Sequence, residues 1–145
     1  MTDKDWQHIK DYTLMATITT IFLLLILVGL SHADEYAIKT IAYEASNQSY
    51  TGQVAVASVI KTRMQERHLT AMQVVLQPKQ FSCWVNGKPI QSRKLKASEI
   101  ATAIKAWHAA TVGKYNHYAH YEINNYWTKK AISKERIGDH IFYQL

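Results

Sequence analysis

Apolar positions along this chain follow three rhythms, each of which predicts a different element. The first is unbroken. From Tyr12 to Ala33 there is no Asp, Glu, Lys or Arg, and the centre reads Ile21-Phe22-Leu23-Leu24-Leu25-Ile26-Leu27-Val28-Gly29-Leu30. A bilayer takes about 20 such residues to cross, so residues 1–33 read as a leader with one N-terminal transmembrane helix. Ser31 and Ala33 also stand at −3 and −1 of a possible cleavage point before Asp34. The apolar run exceeds the 7–15 residues usual in a cleaved signal peptide, which favours a retained anchor over release near Ala33. Lys4 and Lys10 before the run, and Asp34-Glu35 after it, place the remaining chain outside the cytoplasm. The expectation is a single-pass protein of the inner or cytoplasmic membrane, its domain facing the periplasm or cell wall.

The second rhythm is helical. Ile38, Ile41, Ala42 and Ala45 fall at i, i+3, i+4 and i+7 and predict a helix over about Glu35–Ala45, ending at the polar break Ser46-Asn47-Gln48-Ser49. After a turn through Asn47–Gly52, a helix over Gln53–Arg67 starts apolar nearly all round at Val54–Ile60, as a central buried helix does, and surfaces through the polar run Lys61–Arg67. Thr70 with Gln73 forms a capping-box pattern for a short helix that Pro78 stops. A further helix over Ala97–Val112 carries Ile100, Ala103, Ile104 and Trp107 on one face, with Gly113 as its stop.

The third rhythm is extended. Asn86-Gly87 between Gln80–Val85 and Lys88-Pro89-Ile90 predicts a tight hairpin. Asn116–Tyr121 and His140–Tyr143 read as aromatic strands of an antiparallel pair. Residues 34–145 therefore form a small α+β domain, helices first and a short antiparallel sheet last.

Charge narrows the partners. Residues 34–145 hold fifteen Lys and Arg against eight Asp and Glu. Such a basic exported domain is drawn to anionic membranes or an acidic polymer such as cell wall. Nucleic acid is set aside by the expected export and by the lack of a basic helix or Gly-rich aromatic motif. Cys83 is the only cysteine, so neither an internal disulfide nor a thiolate metal cluster can form.

The eight carboxylates of this domain differ in their neighbours. Asp34 and Glu35 adjoin the apolar run, Glu66, Glu99 and Glu135 lie in polar runs, and Glu122 and Asp139 flank strand ends. Glu44 alone is embedded among apolar residues, in Ile41-Ala42-Tyr43-Glu44-Ala45. Partial desolvation and the negative end of its helix both disfavour its charged form, as suits a general acid. One strong acid with no evident partner disfavours a two-carboxylate glycosidase. It suits a mechanism in which one Glu protonates a leaving oxygen and then serves as base toward an internal hydroxyl. Two rivals remain open. Glu44 with His117, His120 and His140 is one possible metal set, although residues three apart in a strand point to opposite faces. Cys83 with a histidine is a possible nucleophilic pair, although a free buried cysteine is usually inert.

Five stretches, in order, resemble the SleB-like cell wall hydrolases: Ile41–Ala45, Gly52–Ile60, Gln80-Phe81-Ser82-Cys83-Trp84, His117-Tyr118 and Ile137–Tyr143. The resemblance implies a lysozyme-like, lytic-transglycosylase-like domain with Glu44 as catalytic acid/base. Its substrate would be the glycan strand of peptidoglycan, cut between N-acetylmuramic acid and N-acetylglucosamine by a monomer without metal or other cofactor. Gln80, Phe81, Ser82, Trp84, His117 and Tyr118 would line the groove. The chain departs from the family where Ala-Arg-Gly-Glu usually follows the catalytic residue: here stands Ala45-Ser46-Asn47-Gln48. The competing class is a membrane-anchored peptidoglycan-binding or assembly protein that keeps the fold without turnover.

Overall fold

A computed structural model describes residues 12, 15–17, 34–89, 93–123 and 125–145. The chain divides into two units, Met1–His32 and Ala33–Leu145. The expected membrane anchor falls almost wholly outside the described residues, among which no helix is long and apolar enough to cross a membrane.

Helix α1 covers residues 34–45. Its inner face is Ala37, Thr40, Ile41, Ala42 and Ala45, all 0% exposed, with Ile38 packed at the edge. Thr40 is tolerated there because its hydroxyl donates to the Tyr36 carbonyl at 2.6 Å. Helix α2, Tyr50–Arg67, starts three residues before the expected Gln53. The reason is Ser49, whose Oγ accepts from the Gly52 N–H at 3.2 Å and caps the first turn, so the preceding break is only 46–49. The apolar stretch of α2 is the centre of the domain, packed against the two helices that follow it and the sheet.

The second half of α2 surfaces at Gln65 and Glu66, as its polarity suggests, but not throughout. Thr62 and Arg63 are both 4% exposed. Thr62 Oγ1 donates to the Ser58 carbonyl and accepts from the Gly113 N–H, and Arg63 Nε donates to the Asn116 carbonyl. Both side chains are tied down here by backbone groups of residues 113 and 116, distant in sequence.

Helix α3, Ala71–Val75, has the expected reciprocal cap between Thr70 and Gln73 and ends ahead of Pro78. The hairpin pairs β1, Trp84–Val85, with β2, Lys88–Pro89. Its turn residues Asn86 and Gly87 take φ of 50° and 75°, the left-handed pair that a two-residue hairpin requires. Helix α4, Ala97–Ala109, stops three residues short of the predicted Val112. Ala110 is extended there and its carbonyl accepts from Lys61 Nζ at 3.0 Å, while Gly113 lies beyond the helix. The buried face of α4 is Ala103, Ala106 and Trp107; Ile104, expected on it, is turned outward.

The sheet has three antiparallel strands, β3 His117–His120, β4 Ser133–Ile137 and β5 His140–Gln144, in the order β3-β5-β4. The two aromatic strands pair as expected, Tyr118 opposite Phe142 and His120 opposite His140. The third, β4, has no apolar alternation to announce it: Ser133 to Arg136 are exposed, and it is placed by its backbone ladder to β5. Phe142, fully buried, ties the sheet to the helical core.

Candidate active site

Glu44 ends α1 with its carboxyl aimed away from the core and held at three points. Oε1 accepts from the Cys83 N–H at 2.8 Å and from Ser82 Oγ at 3.0 Å; Oε2 accepts from the Tyr118 hydroxyl at 3.2 Å. Each donor is positioned by packing. The segment before β1 is fastened to α1 through Trp84, whose indole Nε1 donates to Thr40 Oγ1 at 2.8 Å and whose ring meets Tyr36 and Tyr43. Tyr118 stacks on Phe142 at 5.5 Å and leans on Phe81. Two segments distant from α1 in sequence thus fix one carboxylate, as preorganised catalysis requires.

Two neighbours respond electrostatically to this arrangement. Burial, followed by the charge of Glu44, pushes the Tyr118 phenol well above its ordinary range, so it stays a hydrogen-bond donor. The Cys83 thiol is pushed up by the same two causes. It therefore remains a thiol near neutral pH, which removes the basis for a Cys83 nucleophile.

Glu44 opens onto a cleft of about 400 Å³ lined by Tyr43, Ser46, Asn47, Ser82, Cys83 and Arg93. Among the described residues no second carboxylate lines it. Arg93 is oriented by Glu99 at 2.9 Å and by Ser46 Oγ at 3.1 Å, and lies over the Tyr43 ring. A second cleft, of about 540 Å³, is lined by Tyr118, Arg63, Lys79, Gln80, His117 and Trp127 among others. His117 packs against Trp127 at 5.1 Å, with Nδ1 3.0 Å from Asn116 Oδ1. Burial, then the charges of Arg63 and Arg67, push its imidazole down to about 4, so it is neutral at physiological pH.

Of the residues the sequence points to, Ser82 and Tyr118 touch Glu44, whereas Gln80 and His117 line the neighbouring cleft. Two take different places from those expected. Phe81 is 3% exposed and lines neither cleft; it supports Tyr118 from below. Trp84 faces α1 and a separate hollow with Gln77, Pro78 and Val85. For Phe81, burial of an apolar ring outweighs any gain from facing a polar cleft, and for Trp84 the indole hydrogen bond to Thr40 sets the direction. His120 and His140 face each other across the strands at 6.2 Å, and among the described residues no three His, Cys, Asp or Glu side chains gather in a metal-sized group.

Sequence reasoning misses Arg93, Tyr43 and the buried Arg63. Arg93 carries no local signal, being one cation in a polar stretch. It also leaves Gln48 without a role, which the structure supplies. The Gln48 amide donates to Asp139 Oδ2 at 3.1 Å while its carbonyl accepts from the Asp139 N–H at 3.2 Å. This two-point contact fastens the β4–β5 turn beside the end of α1. Gly138 sits under it with φ of 60°, and a Cβ there would lie 2.6 Å from Gln48 Oε1.

A carboxylate near a helix end is thus gripped by three donors beside two polar clefts, in a small α+β domain. The chain belongs to the cell wall hydrolase family, whose profile matches residues 47–143. Glu44 itself stands three residues ahead of the matched range. The fold is similar to two solved structures. One is the catalytic domain of the Bacillus cereus SleB protein, at TM-score 0.62 and 23% identity, over 78% of this chain and 91% of that one. The other is the catalytic domain of the germination-specific lytic transglycosylase SleB from Bacillus anthracis, at TM-score 0.62 and 21% identity, over 77% and 93%. No curated protein matches the chain.

Proposed function

We propose that residues 34–145 cleave the glycan strand of peptidoglycan between N-acetylmuramic acid and N-acetylglucosamine, with Glu44 as the single acid/base. The observation that carries this reading is the carboxyl of Glu44, open to a polar cleft and held by Ser82, Cys83 and Tyr118, with no other carboxylate lining that cleft among the described residues. Protonated Glu44 gives its proton to the glycosidic oxygen, and the C1–O bond breaks with positive charge developing on the muramic acid ring. The resulting carboxylate then takes the proton of that sugar's C6 hydroxyl as its oxygen bonds to C1. This closes a 1,6-anhydro ring and returns the proton to Glu44. The donors on the carboxyl hold one rotamer through both transfers, so a single group serves as acid and then base. Likeness to the catalytic domain of a lytic transglycosylase accords with this product. The charge-free run from Tyr12 to Ala33 would hold the domain at the outer face of the cytoplasmic membrane, against its substrate.

The test is Glu44→Gln on isolated sacculi, with mass spectrometry of the muropeptides that the wild type releases. The amide fills the same space but has no proton to give, so glycan cleavage should vanish, and wild-type products should carry anhydro ends. Activity of the variant within about tenfold of wild type would refute the assignment of Glu44. Reducing-end products alone would place water, in place of the C6 hydroxyl, as the nucleophile.

A further inference from the structure

Arg63 is a cation in the wrong place for a surface residue. It is 4% exposed on the central helix, its Nε is taken by the Asn116 carbonyl at 2.7 Å, and its Nη1 is buried without any protein acceptor. Among the described residues no carboxylate pairs with it: Glu66, the acid on the same helix, accepts instead from Asn116 Nδ2 at 3.2 Å. The Phe81 ring lies 5.5 Å from this guanidinium, but among the described residues no ion pair offsets the cost of its burial, which pushes it down to about 10. Such a group is retained at a site where something else completes it.

The surroundings say what that something is. Arg63 lies in the wall of the second cleft, with Lys79 as a further cation, and none of the described residues lining it is acidic. The cleft also presents the half-buried ring of Trp127 and the exposed ring of Tyr126, flat apolar surfaces beside polar ones. Through Tyr118, which lines this cleft and bonds Glu44, it adjoins the reacting centre.

We propose that this cleft is an acidic subsite, in which Arg63 and Lys79 take a carboxylate carried by the glycan next to the bond at Glu44, and Trp127 takes the sugar ring. The inference rests on the glycan-cleaving reading above and adds to it a charged recognition element. Two groups of the substrate offer this chemistry: the lactyl carboxylate of a muramic acid free of peptide, and a carboxylate of the stem peptide. Arg63 offers either one a charged donor in the cleft wall, with Nε already fixed by Asn116, so the contact is a charge-assisted hydrogen bond.

The experiment uses the full chain and two glycan preparations, peptide-bearing and peptide-free, each compared with the same strands after conversion of carboxylates to methyl amides. For the wild type, KM should rise about 10- to 100-fold on neutralisation of one preparation with kcat little changed, and the preparation that responds identifies the source. Lys79→Gln, at an exposed position, should shrink this difference several-fold; Arg63→Gln, where it folds, should erase it. Equal KM for charged and neutralised strands in both preparations, or an undiminished difference in Lys79→Gln together with Arg63→Gln, would overturn the subsite. Binding to the Glu44→Gln variant, followed by Trp fluorescence, separates the two readings. Carboxylate-dependent binding by a chain that cleaves nothing in its wild-type form would refute the turnover reading and keep the subsite.

Discussion

The hydroxyl of Tyr118 and the carboxyl of Glu44, 74 residues apart in sequence, meet at 3.2 Å. The bond joins the end of the first helix of the domain to the first strand of its sheet, and it makes Tyr118 a positioning residue for the proposed chemistry. Tyr118→Phe keeps the ring that stacks on Phe142 and removes only the donor. Turnover on sacculi should fall by about ten- to a hundredfold, with little change in melting temperature. Normal turnover with a lowered melting temperature would show instead that the hydroxyl serves only the fold.

Gln48 supplies a second test. Gln48→Glu keeps an acceptor for the Asp139 N–H but sets two carboxylates against each other where an amide now donates at 3.1 Å. The pair is largely exposed, so the loss should be about 1 kcal/mol or less, a few degrees in melting temperature. Adding Asp139→Asn should restore most of it, because the new amide can donate to Glu. A double variant no more stable than Gln48→Glu alone would show that the contact is not what fastens the turn.

The histidines give a pH dependence with a definite sign. His117 is held at about 4 and His140 below its ordinary 6.5, in both cases chiefly by burial. The unfolded chain therefore takes up protons that the folded one refuses as pH falls below 6.5, and stability declines in that direction. Glu99 and Glu135, held below 4.5 by hydrogen bonds, add their loss only at lower pH. Melting temperature should thus drop between pH 7 and 5, and His117→Gln should flatten the drop. An unchanged slope in that variant would remove His117 from the account.

A chain beginning at Asp34 should be soluble and cleave glycan, since α1 starts there and the residues about Glu44 all follow it. Static light scattering and a zymogram check this together. Aggregation with no glycan binding would show that the preceding apolar run belongs to the fold.

What the sequence discloses depends on whether a signal is local. Glu44 stands out because a charge interrupts a helical apolar face, and the hairpin because Asn86-Gly87 names its own turn. Strand β4 escapes notice because Ser133–Arg136 bury nothing and are ordered by the ladder to β5. Arg63 reads as surface because its neighbours are polar, while its burial depends on a carbonyl 53 residues away. Phe81 and Trp84 fall in a stretch that does reach Glu44, yet the contacts come from Ser82 and the backbone of Cys83 between them. Motif position marks the segment, and packing decides which side of it faces the cleft.

The order of the sheet bears on when activity begins. Strand β3 has a single ladder neighbour, β5, so Tyr118 has no backbone support until His140–Gln144 have joined the sheet. Until that late event Glu44 lacks its third hold, whatever the helices have already done. A chain whose last strand has not yet joined the sheet would therefore carry its acid unarmed, and latency would follow from the order of the strands.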